Sequence, residues 1–538
     1  MQQILDMIEK HGRWAALIAG GISATGFAPL GLWPLTLIAF ALLLHLVAKA
    51  ATKKSAFQIG YAFGVGHFCV GLNWIAGAFR YQDAMPVWLG WVAVMLVSLY
   101  IAVYPALAAL TAWTLGDQVR RGGGKSTIPF VTSFAGSWII AEWLRSWVFT
   151  GFAWNPLSAV QMGEIGGWAL PAIGTYGVSG LVVLLSAILW GMLAALRVVN
   201  AKAIAARFID VALLSLACLI LSLIGDGKML GSGQAGKLIT IVQPNIGQQD
   251  KYEPGYDALN FAKLAALSRP LEGQGPRLLL WPEAAIPDYL DDGYPYRYYQ
   301  FQAGESAAGA RAQLTTLMGP KDVLLTGSTR LIINKDGQLT AARNSMTAMD
   351  ASGKLLGHYD KSHLVPYGEY LALRWLLEPL GATRLVPGDL DFIPGPGPQT
   401  LQIPSFGKVG IQICYEIIFS GHVVDRQNRP DFLFNPSNDA WFGSWGPPQH
   451  LAQARLRAIE EGLPVIRSTP TGISAIIDAD GHIFQSIPLG EAGRIDAKLP
   501  LAKSPTLFSL YGNILPLAFA ALLLAFALFP VVRARRSR

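Results

Sequence analysis

Val409-Gly410-Ile411-Gln412-Ile413-Cys414-Tyr415-Glu416 is an apolar, partly β-branched run that closes on a thiol and a carboxylate. Such a run reads as a buried strand over 409–414. A sharp turn at its end can expose the sulfur and aim backbone N–H groups at a developing oxyanion. The same texture recurs on both sides, at 238–242 (LITIV, closed by Gln243-Pro244-Asn245), 278–281 (LLLW, ending at Pro282-Glu283), 323–327 (VLLTG) and 431–435 (DFLFN). A further run at 473–478 (ISAIID), before Gly481, reads as half of a hairpin. Helical periodicity fits between them at 256–267 and at 450–462, where Gly462 ends the pattern. Strands alternating with helices predict an α/β layered domain with its chemistry at strand ends.

Outside this domain the composition changes. The chain has 538 residues, 52% hydrophobic and only 14% charged, with a mean hydropathy of +0.37. Soluble proteins carry about 25% charged residues, so a wholly cytosolic globular protein and a disordered chain are both excluded. Apolar runs of bilayer-spanning length, about 20 residues, fall at 14–29, 32–48, 57–79, 87–115, 129–150, 168–196, 208–224 and 507–532. They predict eight transmembrane helices. Asp6 and Glu9 stand where a cleaved signal would carry its basic leader, so the N-terminus is expected to stay attached.

Lys and Arg sort these runs by side. Lys10 and Arg13, then Lys49, Lys53 and Lys54, then Arg120, Arg121 and Lys125, then Arg197, Lys202 and Arg207, and finally Arg533, Arg535, Arg536 and Arg538 mark one face. The alternate connections carry Arg80 and, over 151–167, no basic residue. Both termini are then expected in the cytoplasm and the segment between the seventh and eighth runs outside it. The formal charge of +7 is on this reading a topology signal, not a nucleic-acid footprint. The expected domains are a membrane domain at 1–227, a catalytic domain at 236–503, and a last span with a basic tail at 504–538.

Three strand ends or loops carry reactive groups. Glu283 follows an apolar strand, where burial would raise its pKa toward that of a useful base; a helix cap or a surface carboxylate fits the same position. Lys361, in Asp360-Lys361-Ser362-His363-Leu364-Val365-Pro366-Tyr367-Gly368-Glu369, reads by itself as solvated surface. Cys414 is the one cysteine of the inserted domain, since Cys69 and Cys218 lie in the third and seventh apolar runs and read as filler. A thiol with no partner is either buried filler or a nucleophile.

Taken together, Trp281-Pro282-Glu283, the loop ending in Pro366-Tyr367-Gly368-Glu369, Cys414-Tyr415-Glu416, and Asn435-Pro436-Ser437-Asn438-Asp439-Ala440-Trp441-Phe442 occur in an order that resembles the nitrilase superfamily over roughly 237–499. The eight runs, with this domain inserted before the last, resemble the apolipoprotein N-acyltransferases within it, over nearly the whole chain. The resemblance implies an αββα sandwich with a Glu-Lys-Cys triad: Glu283 as general base, Lys361 as cationic oxyanion stabiliser and Cys414 as nucleophile. It implies that Glu369 positions the triad, that Glu416 supports it, that the Tyr415 N–H contributes to the oxyanion hole, and that Asn344 and Trp441 shape the site. It further implies a bacterial inner-membrane enzyme with a periplasmic catalytic domain. Its Cys414 would take an acyl chain from a phospholipid and pass it to the α-amine of a diacylated apolipoprotein. A Lys beside the Cys is expected to lower the thiol pKa.

Other readings stay open: a membrane-tethered amidase whose thioester is resolved by water, or an inactive lipid-binding scaffold or transporter. Trp375-Leu376-Leu377 with Pro379-Leu380, Trp441-Phe442 with Trp445, and 294–301 (YPYRYYQF) read either as lipid-contacting arms or as packed aromatics. Glu142 and Arg145, three apart in the fifth run, read as a pair. Gly122-Gly123-Gly124-Lys125-Ser126-Thr127 looks like a phosphate loop, but Val119 stands where its first Gly is required. No metal, organic cofactor or nucleic-acid partner is expected, and a monomer is.

Overall fold

The computed structural model describes residues 2–81, 85–121, 127–161, 167–197, 200–229, 236–251, 255–381, 383–385 and 391–536. The phosphate-loop lookalike lies, apart from Thr127, outside the described residues. The chain forms two compact units, one of Met1–Ala76, Trp88–Gly227 and Pro505–Arg538, the other of Gly77–Val87 and Lys228–Ser504. The segment Gly77–Val87 thus groups with the inserted domain, although the sequence places it among the membrane runs.

The first unit is helical. Every apolar run contains helix: Gly12–Ser23, Trp33–Lys49, Lys53–Gly71 with Ile75–Ala78, Leu89–Ile101 with Val103–Arg121, Ile128–Arg145, Leu170–Arg197, Ala201–Gly225 and Ile514–Arg536. Among the described residues, three helices are long and apolar enough to cross a membrane: Leu89–Gln118, Gly167–Arg197 and Ala201–Gly225. The pair Lys53–Gly71 and Ile75–Tyr81, bent by 47°, makes up to a fourth. Trp33–Lys49 and Ile514–Phe529 are apolar but shorter. The fifth run departs from a plain span because Glu142 and Arg145 are buried near the end of its helix. There Glu142 accepts from Trp138 Nε1 at 3.0 Å and from the Leu157 N–H at 2.8 Å, and Arg145 donates to the Trp154 carbonyl at 2.8 Å.

The second unit is built on twelve strands: β1 (Leu238–Gln243), β2 (Arg277–Leu280), β3 (Val323–Ile333), β4 (Leu339–Asp350), β5 (Leu355–Asp360), β6 (Thr400–Ile403), β7 (Gly407–Ile411), β8 (Phe432–Pro436), β9 (Val465–Ser468), β10 (Ser474–Ile477), β11 (Ile483–Ile487) and β12 (Gly493–Lys498). They form two six-stranded sheets, ordered β12-β1-β2-β3-β4-β5 and β11-β10-β9-β8-β7-β6. In each sheet the three middle-order strands β1-β2-β3 and β7-β8-β9 run parallel. The helices Asp257–Ser268 and Ala307–Thr315 cover the first sheet, where Leu264, Ala310 and Leu314 pack on Val242, Leu279, Trp281 and Leu324. Gln243, fully buried, ties the sheets together by accepting from Ser474 N–H at 2.9 Å and Thr469 Oγ1 at 3.1 Å.

Parallel order fixes where chemistry can gather. β2 and β3 end on the same side of the first sheet, and β5, reached by two antiparallel turns, ends there too. Glu283 lies just beyond β2, Lys361 directly after β5, and Cys414 just beyond β7 of the second sheet.

Candidate active site

Each nominated group is held by backbone before its side chain acts. The Glu283 loop hangs on β3: Trp281 N–H donates to Leu325 O at 2.9 Å and Ala285 N–H to Gly327 O at 3.0 Å. Gly327 is required there, because a Cβ on it would stand 2.2 Å from Ala284 N and 2.6 Å from Pro282 O. Lys361 N–H donates to Asn344 O at 2.8 Å, which seats the lysine against β4. Cys414 opens a short 3-10 turn, Cys414–Ile418, with φ of +51°, a left-handed conformation that a non-glycine residue holds only where its surroundings enforce it. The strand therefore ends at Ile411, three residues before the expected Cys414, and the thiol sits on a bend.

The side chains close into one buried cluster. Lys361 Nζ lies 3.1 Å from Glu283 Oε1 and 3.0 Å from Glu369 Oε2. Asn344 Nδ2 donates to the same two carboxylates, 2.7 Å to Glu283 Oε1, the oxygen that Lys361 also contacts, and 2.9 Å to Glu369 Oε1. Glu283 Oε2 accepts from Asn438 N–H at 2.8 Å, and Glu369 Oε2 from Val365 N–H at 2.8 Å. Lys361 is 2% exposed, Glu283 6%, Glu369 4% and Cys414 4%, so Lys361 is not the solvated lysine that its sequence context suggests. Glu416 clamps the cation loop to the cysteine turn. Its Oε1 accepts from Tyr359 Oη, Ser362 N–H and Ser362 Oγ at 2.7–2.8 Å and from His363 N–H at 3.1 Å, while Oε2 accepts from Ile413 N–H at 2.7 Å.

Electrostatics corrects two expectations. Burial by itself would raise the Glu283 carboxyl, but the Lys361 ammonium, the Asn344 amide and Lys251 outweigh it and hold the group below the usual carboxylate range. Burial and then the Glu283 charge push the Cys414 thiol well above its ordinary value, and Lys361 only partly opposes them. The resting state is thus a carboxylate and a thiol, not a raised-pKa base beside a thiolate. For Lys361 the two carboxylates overcome burial and raise the ammonium pKa, so it stays charged.

Not every nominated residue joins the cluster. Trp441 packs edge-on against Tyr81, with ring centroids 5.7 Å apart. Of the stretches that read either as lipid-contacting arms or as packed aromatics, Phe442 is packed, 7% exposed and against His450, whereas Trp375 is 76% exposed and Phe301 92%. The Tyr415 ring lies 5.2 Å from Phe419. Several groups were missed from sequence. Asn438 binds Glu283 through its backbone and Gln248 Oε1 through Nδ2 at 2.8 Å. Lys251 donates to Glu283 O at 3.3 Å, and burial brings its ammonium down to about 8 against the pull of Glu283 and Cys414. Its two-residue distance from Gln249 in an unremarkable polar run gave no signal. Beside it opens a cavity of about 290 Å³ whose lining includes Lys251, Asp257, Asn260, Glu283 and Asp288. Among the described residues no group of three or more His, Cys, Asp or Glu could hold a metal.

Both six-stranded sheets, and the buried Glu283–Lys361–Glu369 cluster with them, lie within a carbon-nitrogen hydrolase domain. Residues 238–504 match the family described as carbon-nitrogen hydrolase, and residues 19–188 match the apolipoprotein N-acyltransferase N-terminal domain. An apolipoprotein N-acyltransferase of Rhodopseudomonas palustris is 32% identical, with 97% of this chain and 95% of that protein aligned. One of Bradyrhizobium diazoefficiens is 34% identical over 97% of this chain and 94% of that protein. Among solved structures, Saccharomyces cerevisiae Nit3 of the nitrilase superfamily is similar at 20% identity and a TM-score of 0.34, covering 50% of this chain and 93% of that one. This chain belongs to the apolipoprotein N-acyltransferase family.

Proposed function

We propose that the protein moves a fatty acyl chain from a membrane phospholipid to the α-amine of a diacylated apolipoprotein, through a thioester on Cys414. The observation that carries this reading is the buried Glu283–Lys361–Glu369 charge cluster, with both ammonium contacts near 3 Å, on the unit that also holds the bent Cys414. Glu283 takes the thiol proton as Sγ attacks the ester carbon. Lys361 and the Tyr415 N–H stabilise the resulting oxyanion. Collapse breaks the C–O bond, Glu283 returns the proton to the leaving lysophospholipid oxygen, and the thioester remains. The neutral amine then attacks, its proton passes to Glu283, and the thiol is regenerated as the amide forms. Glu369 and Asn344 hold the acid and the cation in place throughout.

The proposal includes eight crossings of the bacterial inner membrane with both termini cytoplasmic, a periplasmic catalytic domain and a monomeric enzyme. It is supported by the helix in each apolar run and by the one-sided Lys and Arg pattern. Both substrates are membrane-anchored, which suits a catalytic domain tethered to apolar helices. Purified protein given phospholipid with a labelled acyl chain, then a diacylated lipopeptide, tests the activity. Label arriving as an amide on the lipopeptide supports acyl transfer, whereas free fatty acid released equally fast without the amine supports an amidase instead.

A further inference from the structure

Behind the cysteine turn lies a second polar cluster that the triad does not use. His450, on the helix Gly446–Glu461, places Nε2 3.1 Å from the carbonyl oxygen of Cys414. Its Nδ1 lies 2.9 Å from Asp439 Oδ1 and 3.0 Å from Arg467 Nη2. Arg467 also bonds Asp439 Oδ2 and Asn435 Oδ1, and Asn435 Nδ2 donates to Gln412 O at 2.6 Å and reaches Cys414 O at 3.4 Å. All four side chains are essentially inaccessible to solvent.

The contacts favour a proton on Nε2. A ring protonated on Nδ1 alone suits Asp439 but sets one N–H against Arg467 and a lone pair against the Cys414 carbonyl, two mismatches, whereas the Nε2–H tautomer meets only the Asp439 carboxylate unfavourably and the imidazolium only the arginine. In the two remaining states, the Nε2–H tautomer and the imidazolium, an N–H points at Cys414 O. That oxygen belongs to the same planar peptide as the Tyr415 N–H, and in a trans peptide the two point opposite ways. Holding the oxygen from behind therefore fixes the direction of the N–H in front, and a hydrogen bond to the carbonyl polarises the amide into a stronger donor. The bend at Cys414, φ +51°, needs such a restraint.

We propose that His450, backed by Asp439 and Arg467, is a positioning residue for the oxyanion hole: its N–H on the Cys414 carbonyl locks and polarises the Cys414–Tyr415 peptide, so that the Tyr415 N–H is aimed at the acyl oxyanion. This rests on the reading of Cys414 as the nucleophile. It separates two reactions of one sulfur, because acylation by an ester passes through an oxyanion and alkylation by iodoacetamide does not.

The test compares wild type, His450→Leu and His450→Gln as full-length protein in one detergent, measuring single-turnover acylation of Cys414 by phospholipid and its alkylation by iodoacetamide. The expected result for His450→Leu is about a 10- to 100-fold slower acylation, less than the roughly 10²- to 10³-fold that losing an oxyanion donor outright costs, because the donor is misaimed and not removed, with alkylation within about twofold of wild type. Glutamine, whose amide N–H can face the same oxygen, recovers most of the loss. Both rates falling together, neither falling, or glutamine doing no better than leucine overturns the proposal. Wild-type protein that is alkylated at Cys414 yet never acylated there would refute the nucleophile reading itself, and this inference with it.

Discussion

Replacing Lys361 with methionine keeps the side-chain length and removes one charge from a site where two carboxylates face it, at 3.1 Å from Glu283 and 3.0 Å from Glu369. Lys361 is 2% exposed, so water cannot take its place. Breaking a buried ion pair by removing one partner costs about 3–5 kcal/mol, because the partner is left charged and unpaired. Here two are left, bridged by the Asn344 amide and with Lys251 as the remaining cation acting on Glu283, so their mutual repulsion and burial push one carboxyl up toward binding a proton. The pH dependence then reverses. In the wild type the depressed Glu283 pKa contributes stability that is present above the unfolded carboxyl value of 4.5 and lost as pH falls through the folded one. In Lys361→Met a raised carboxyl contributes stability that is present below that value and lost as pH rises. Thermal unfolding of the detergent-solubilised variant at pH 5 and pH 8 should therefore show its deficit mainly at pH 8. Adding Glu369→Gln removes one of the clashing charges and should restore most of the stability while acylation stays absent, since the oxyanion still lacks its cation. A single variant as stable as wild type at both pH values, or a double variant that is not rescued, would refute the buried-cluster argument.

Three other outcomes follow from the same geometry. Glu283→Gln keeps the Asn344 and Asn438 contacts within reach but has no basic oxygen, so acyl-enzyme formation should slow by about 10²- to 10⁴-fold, read by stopped-time mass spectrometry. Gly327→Ala puts a Cβ 2.2 Å from Ala284 N and must shift the Glu283 loop; acylation should fall at least about tenfold with the protein still folded by circular dichroism. Because burial and Glu283 raise the Cys414 thiol, its alkylation by iodoacetamide should go on rising past pH 9, the ordinary cysteine value, and a plateau below pH 7 would show a resting thiolate instead.

What the sequence disclosed was local, and what it hid was distant. Glu283 and Cys414 drew attention because each closes or follows an apolar run, and Lys361 only because the words around it resemble the family's; by itself it read as surface. Their pKa directions were not, since Glu283 owes its depressed value to a lysine 78 positions away and the thiol its elevated one to the same carboxylate. His450 looked like one more helical residue until the fold set it behind Cys414, 36 positions earlier. The strand β4, spelled LTAARNSMTAMD, has too many Ala, Arg and Asn residues to announce itself; antiparallel pairing with β3 from Val323 to Ile333 makes it a strand. Trp441 was nominated from the family-like stretch around it, and its contact with Tyr81, in the connection between the third and fourth apolar runs, had no signal in the sequence.

Intact-protein mass spectrometry after incubation with phospholipid, followed by peptide mapping, tests the central claim most directly. One fatty-acyl adduct per chain, mapped to Cys414, released by a diacylated lipopeptide amine and missing from Cys414→Ser, is the predicted result. An adduct on Cys69, Cys218 or a hydroxyl, or undiminished lipopeptide acylation by Cys414→Ser, would contradict it.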